Sequence, residues 1–105
     1  MDIAISFNKI PIRLTAERWQ HITTGHPEIA AYYYEILDTI ENPEIVYEGN
    51  YNAFIACKDI LLTENKFIVV IFKESSNKDG FVITAYISNK KQEFQKKKIL
   101  WEKQK

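Results

Sequence analysis

Four runs rich in β-branched and aromatic residues, EIVYEG (44–49), YNAFIACK (51–58), KFIVVIFKE (66–74) and GFVITAYIS (80–88), follow one another at gaps too short for a helical crossover. Parallel neighbours need a dozen or more connecting residues, so these runs are expected to turn back on each other as an antiparallel meander. ESSNKDG (74–80) reads as a hairpin loop with its glycine at the end. The rest of the chain has to be arranged around that sheet.

Ahead of the sheet the pattern is helical. IAISF (3–7) alternates weakly and suggests a short first strand. LTAERWQHITTG (14–25) then predicts a helix over Ala16–Thr24, with Thr15 as N-cap and Trp19 and Ile22 as an apolar edge. Its capping box is incomplete because Arg18 stands three residues after Thr15, and Gly25 is placed as the C′ residue. A second helix is expected over Pro27–Glu41: Pro27 suits its first position, Glu28 suits the positive end of its dipole, and Ile29, Tyr33, Ile36, Leu37 and Ile40 fall on one face. Pro43 disfavours a helical Asn42 and ends it. The expected fold is therefore α+β, with N-terminal helices packed on one face of an antiparallel sheet.

Alternation assigns the faces of the last strand. Phe81, Ile83, Ala85 and Ile87 are expected to meet the helices, while Val82, Thr84, Tyr86 and Ser88 share the opposite, open face. That places the Thr84 hydroxyl and the Tyr86 phenol side by side. Residues 90–99 are compatible with a last helix or with an extended basic tail, and ILW (99–101) with a return to the sheet edge.

The chain has 105 residues, the size of one domain, so residues 1–105 are read as a single unit with a basic C-terminal segment from about residue 90. The longest apolar run, FIVVIF (67–72), is far below the roughly 18 to 20 residues that cross a bilayer, and MDIAISFNKIPIR has no basic n-region. The single cysteine, Cys57, excludes an internal disulfide and a Cys-based zinc site and reads as a small strand residue. A cytoplasmic protein is expected, with no membrane partner and no cofactor. Net charge is zero but unevenly placed. Six acids and no Lys or Arg lie between Glu28 and Cys57, whereas residues 90–105 carry seven lysines against two glutamates. The tail is thus +5, leaving seven basic and twelve acidic residues, −5, on residues 1–89. A tail of that sign suits a phosphate backbone or an acidic protein.

Both histidines lie in WQHITTGHPE (19–28), His21 within the first helix and His26 between a helix-ending glycine and a helix-starting proline. Metal-free cleavage of RNA needs a base for the 2′-hydroxyl proton, an acid for the departing 5′-oxygen, and donors around the phosphorus oxygens. Two imidazoles answer the first two needs, and lysine, threonine and tyrosine the third. Five residues on a continuous helix put side chains about 140° apart, so a shared site requires a sharp turn at Gly25–Pro27. The bland alternative is a pair of helix-junction residues. A spacing of five does not align two metal ligands on one helix face, and no carboxylate motif completes a set. No phosphate-binding glycine loop, serine elbow or Cys/His dyad is present.

The order WQHI (19–22), GHPE (25–28), ENPEIV (41–46), FIVVIF (67–72), FVITAY (81–86) and LW (100–101) resembles the phage-associated small nucleases of the barnase, EndoU, colicin and RelE superfamily over about Leu14–Trp101. The resemblance implies helices on one face of an antiparallel sheet and a ribonuclease site on the other. By similarity, His21 and His26 are the acid/base candidates, and Thr84 and Tyr86 the strand residues that contact phosphate or base. Gly25 stands where the family usually has Arg, so if that Arg stabilises transition-state charge the chain either uses another cation, with Lys66 favoured over Lys73 and Arg13, or is a poor enzyme. Arg13, Lys96, Lys97 and Lys98 are candidate RNA contacts. The implied activity is a metal-independent endoribonuclease toxin with RNA as substrate and a cognate antitoxin as partner. The competing expectation is a non-catalytic module of the same fold that binds protein or nucleic acid.

Overall fold

The computed structural model describes residues 1–61, 63 and 65–104, so Lys105 of the basic tail lies outside the described residues. Seven strands form one mixed sheet, with two α-helices against it: β1 (Asp2–Ile5), β2 (Pro11–Leu14), α1 (Ala16–Gly25), α2 (Tyr33–Glu41), β3 (Ile45–Glu48), β4 (Phe54–Asp59), β5 (Phe67–Glu74), β6 (Gly80–Ser88) and β7 (Ile99–Glu102). The spatial order is β1-β2-β6-β5-β4-β3-β7.

The meander is antiparallel from β3 through β6, as the short gaps require. The wholly antiparallel expectation is corrected at one place: β2 joins β6 in parallel through Ile12–Gly80 and Arg13–Phe81. The β2 strand is only four residues and begins with proline, so its sequence carries little strand signal. It is held by the β1–β2 hairpin, whose turn places Lys9 at φ 67° and buries Ser6. The Ser6 hydroxyl donates to Glu74 at 2.6 Å and accepts from the Ile10 N–H at 3.3 Å. Gly80 admits this close packing, since a Cβ there would lie 2.5 Å from both the Ile12 side chain and the Lys73 carbonyl.

Thr15 caps α1 by accepting from the Arg18 N–H at 3.1 Å. The helix runs one residue further than expected. Gly25 is its last residue rather than a left-handed C′ position, and the His26 N–H still donates to the Ile22 carbonyl at 2.8 Å. The continuous Pro27–Glu41 helix is also corrected. Pro27–Ala31 forms a 3₁₀ turn, Tyr32 leaves helical geometry at φ −121°, and α2 starts at Tyr33. Three successive tyrosines are weak helix formers, and the break lets Tyr33 stack edge-on against Trp19 while its hydroxyl donates to Asp2 at 2.6 Å. Ile29, Ile36 and Ile40 nevertheless reach one core with Val46, Val70, Phe72 and Val82. Truncating such a residue to alanine costs about 2–5 kcal/mol.

The second face of the sheet is not open. The β6–β7 connection crosses it, and the 3₁₀ turn Lys91–Phe94 sets Phe94 onto Ile55, Cys57, Phe67 and Val69. Chain 99–102 is a strand paired to β3, which decides the alternatives left by the sequence. Facing in β6 is corrected as well. Ile71 pairs with Thr84 but Phe72 with Val82, so Ile83 is an extra residue in a bulge. Val82 therefore joins the helix-side core, and Ile83 lines a cavity on the second face. Thr84 and Tyr86, opposite Ile71 and Val69, keep the second face.

Candidate active site

Strand β2 accompanies β6 only as far as Phe81, and among the described residues no other strand lies along that side of β6. The end of α1 and the 27–31 turn pack there instead. This positions His26 against Tyr86, with ring centroids 5.5 Å apart and planes tilted by 32°. His26 Nδ1 lies 3.6 Å from a Glu28 carboxylate oxygen, a charge contact too long for a hydrogen bond. Pro27 heads the 3₁₀ turn and Glu28 lies in its first turn.

Next to this contact is a groove of about 490 Å³ lined by Glu28, Lys66, Tyr86, Ser88, Lys90 and Glu93. Tyr86 is half-buried, and desolvation first, then the nearby Glu93 carboxylate, raises its phenol above the usual range. The hydroxyl thus stays protonated and able to donate at neutral pH. Lys66 and Lys90 supply cationic ends in the same groove, and two carboxylates face them.

The expected residues are distributed unevenly. His26 meets Tyr86, and Tyr86 lines the groove together with Lys66, while His26 itself stands outside the groove lining. His21 is exposed on α1; the chain leaves helical geometry at His26, at φ −135° and ψ 76°, and His21 is neither in contact with Tyr86 nor in the groove lining. Thr84 is on the correct face but does not line the groove. Arg13 is engaged elsewhere, in a two-bond pair with Asp79 at 2.8 and 2.9 Å that holds Asp79 below and Arg13 above their ordinary ranges. Lys96 and Lys98 are exposed on the crossing segment, while Lys97 lines a second cavity on the far side of Tyr86. Glu28, Lys90 and Glu93 are groove residues that sequence reasoning missed. Glu28 had a signal, two places after His26 across a proline; Lys90 and Glu93 had none, because their placement depends on the path of the β6–β7 crossing.

A larger cavity of about 560 Å³ lies at the other end of the second face, with Tyr47, Cys57, Phe67 and Phe94 in its wall and Lys58, Lys91 and Lys103 among its charged residues. Lys91 pairs with Asp59 at 3.1 Å and Lys58 with Asp38 at 2.7 Å. No group of three or more His, Cys, Asp or Glu residues fit to hold a metal occurs among the described residues, and no described helix is long and apolar enough to cross a membrane. Comparison with protein-family models, with curated proteins and with solved structures gives no match for this chain.

Proposed function

We propose that this chain is an endoribonuclease of the barnase/RelE-like kind that needs no metal, acting as a toxin restrained by an antitoxin protein. The observation that carries the reading is the His26–Tyr86 contact at a groove holding Lys66 and Lys90. With Glu28 beside Nδ1, the opposite nitrogen, Nε2, is left to take the proton of an RNA 2′-hydroxyl. The 2′-oxygen attacks the adjacent phosphorus and the bond to the 5′-oxygen breaks. Tyr86 gives its proton to that leaving oxygen, and the lysine ammonium groups offset charge on the non-bridging oxygens. The products are a 2′,3′-cyclic phosphate and a 5′-hydroxyl; the proton on His26 and the one lost by Tyr86 are exchanged with water.

A second reading, RNA binding without cleavage, is favoured by Gly25 in place of the expected arginine and by the two carboxylates, Glu28 and Glu93, in the groove. One assay separates the two. Purified protein in a chelating buffer should cut single-stranded RNA to cyclic-phosphate ends, and His26→Ala should lower the rate by about 10²- to 10⁴-fold. His21→Ala should leave the rate near that of the parent. Expression of the parent, but not His26→Ala, should arrest growth. RNA retained but uncut by the parent protein would replace the enzyme with the binding module.

A further inference from the structure

The β3–β4 connection holds the most unusual backbone on the second face. Tyr51 and Asn52 are consecutive non-glycine residues in the left-handed region, at φ 53° and 64°. Such positions cost of order 1–3 kcal/mol each and persist where surrounding structure over-determines them. The turn is closed beneath them by Gly49 N–H to the Ala53 carbonyl at 2.8 Å and Ala53 N–H to the Asn50 carbonyl at 3.0 Å. At its tip the Tyr51 side chain is 90% exposed, an aromatic ring held out into water with no packing to justify it.

Beside this tip is the second cavity, about 370 Å³, walled by Asn50, Ile55, Ile71, Ile83, Tyr86 and Lys97. The wall combines aliphatic side chains, the Phe94 ring, one amide with two donors and an acceptor, one tyrosine, one ammonium group and the Glu93 carboxylate, while the Tyr51 ring stands outside it at the adjoining turn. It shares Tyr86 and Glu93 with the candidate active-site groove, so a strand occupying both would pass over Tyr86. The bulge at Ile83 is what turns an extra aliphatic side chain into this cavity.

We infer that this cavity is a nucleobase subsite of single-stranded RNA, in which Tyr51 stacks on the base, Asn50 reads its edge and Lys97 holds the adjoining phosphate. The inference rests on the ribonuclease reading for its substrate class. Stacking on aromatic rings and hydrogen bonding of unpaired base edges are how proteins read single-stranded RNA. Tyr51 is thus a specificity-determining residue, and its strained backbone is the means of presenting the ring.

The test uses four fluorescent 2′-O-methyl tetranucleotides, which lack the attacking hydroxyl, differing in the base at one position. Tyr51→Ala should weaken binding by about 10- to 100-fold, and Tyr51→Phe should retain it. Asn50→Ala should flatten the preference among the four bases. Tyr51→Gly, which suits the left-handed backbone, should raise the melting temperature and still lose affinity, a combination that a purely structural role does not give. Parent-like affinity in Tyr51→Ala, or no binding of any of the four by the parent protein, overturns the subsite. If the parent cleaves RNA while Tyr51 and Asn50 variants keep its base preference, the subsite is wrong and the ribonuclease stands. If oligonucleotides bind through Tyr51 but RNA is never cut, the subsite stands without the nuclease.

Discussion

Single residues on the second face are governed by how much water reaches them. Cys57 is buried beneath Phe94, and desolvation pushes its thiol from 9 up to about 12. The thiolate is the nucleophile, so the folded protein should resist iodoacetamide at pH 8 while the denatured chain reacts freely. Mass spectrometry of alkylated protein checks this, and rapid labelling of the native state would contradict the burial. The same shift has a stability consequence. The folded state favours the neutral thiol, so its contribution is complete below pH 9 and is lost as pH rises toward 12. Tyr33 acts in the same sense, because its hydrogen bond to Asp2, and then desolvation, raise it from 10 to about 12. Alkaline unfolding should begin in that window.

At the scale of elements, the end of α1 is where sequence and structure bear most directly on function. Gly25 is helical, and a Cβ there would meet nothing within 4 Å. Gly25→Ala should therefore stabilise the protein by about 0.5–1 kcal/mol, read from denaturant midpoints. Gly25→Arg has the same open space at its Cβ and adds a cation next in sequence to His26, so it should raise the cleavage rate if the groove is short of positive charge. An unchanged rate would mean that Lys66 and Lys90 suffice.

The elements themselves were legible where period and punctuation agreed: the β3–β6 meander, the Thr15 cap, and the isoleucines of the helical face. The unread features are those set by tertiary contact. Nothing in PIRL announces a parallel pairing with β6, no glycine marks the Ile83 bulge, and the tyrosine break depends on Trp19 and Asp2 as partners. Of the residues named from the sequence for the site, His26 and Tyr86 come into ring contact and Lys66 lines the groove beside Tyr86. Lys90, Glu93 and Asn50 were not legible, since long-range crossings brought them there.

Over the whole molecule, the separation of charge decides which lysines are available to a phosphate backbone. Residues 1–89 carry −5 and residues 90–105 carry +5, with a Cα radius of gyration of 12.7 Å holding both within a short distance. Lys91 is paired with Asp59, and Arg13 is tied to Asp79. Lys96 and Lys98 are exposed, and Lys97 borders the cavity beside Tyr86. If these three lysines each neutralise one phosphate of a single strand, each contributes about 0.7 to the slope of log affinity against log salt. The triple variant Lys96→Ala, Lys97→Ala, Lys98→Ala should therefore flatten that slope by about 2, measured with one RNA over a range of salt concentrations. Arg13→Ala should leave the slope unchanged while lowering stability, because the change removes an internal partner of Asp79 and no phosphate contact. A triple variant with the parent slope would move the phosphate contacts off the β6–β7 crossing and onto Lys66 and Lys90 in the groove itself.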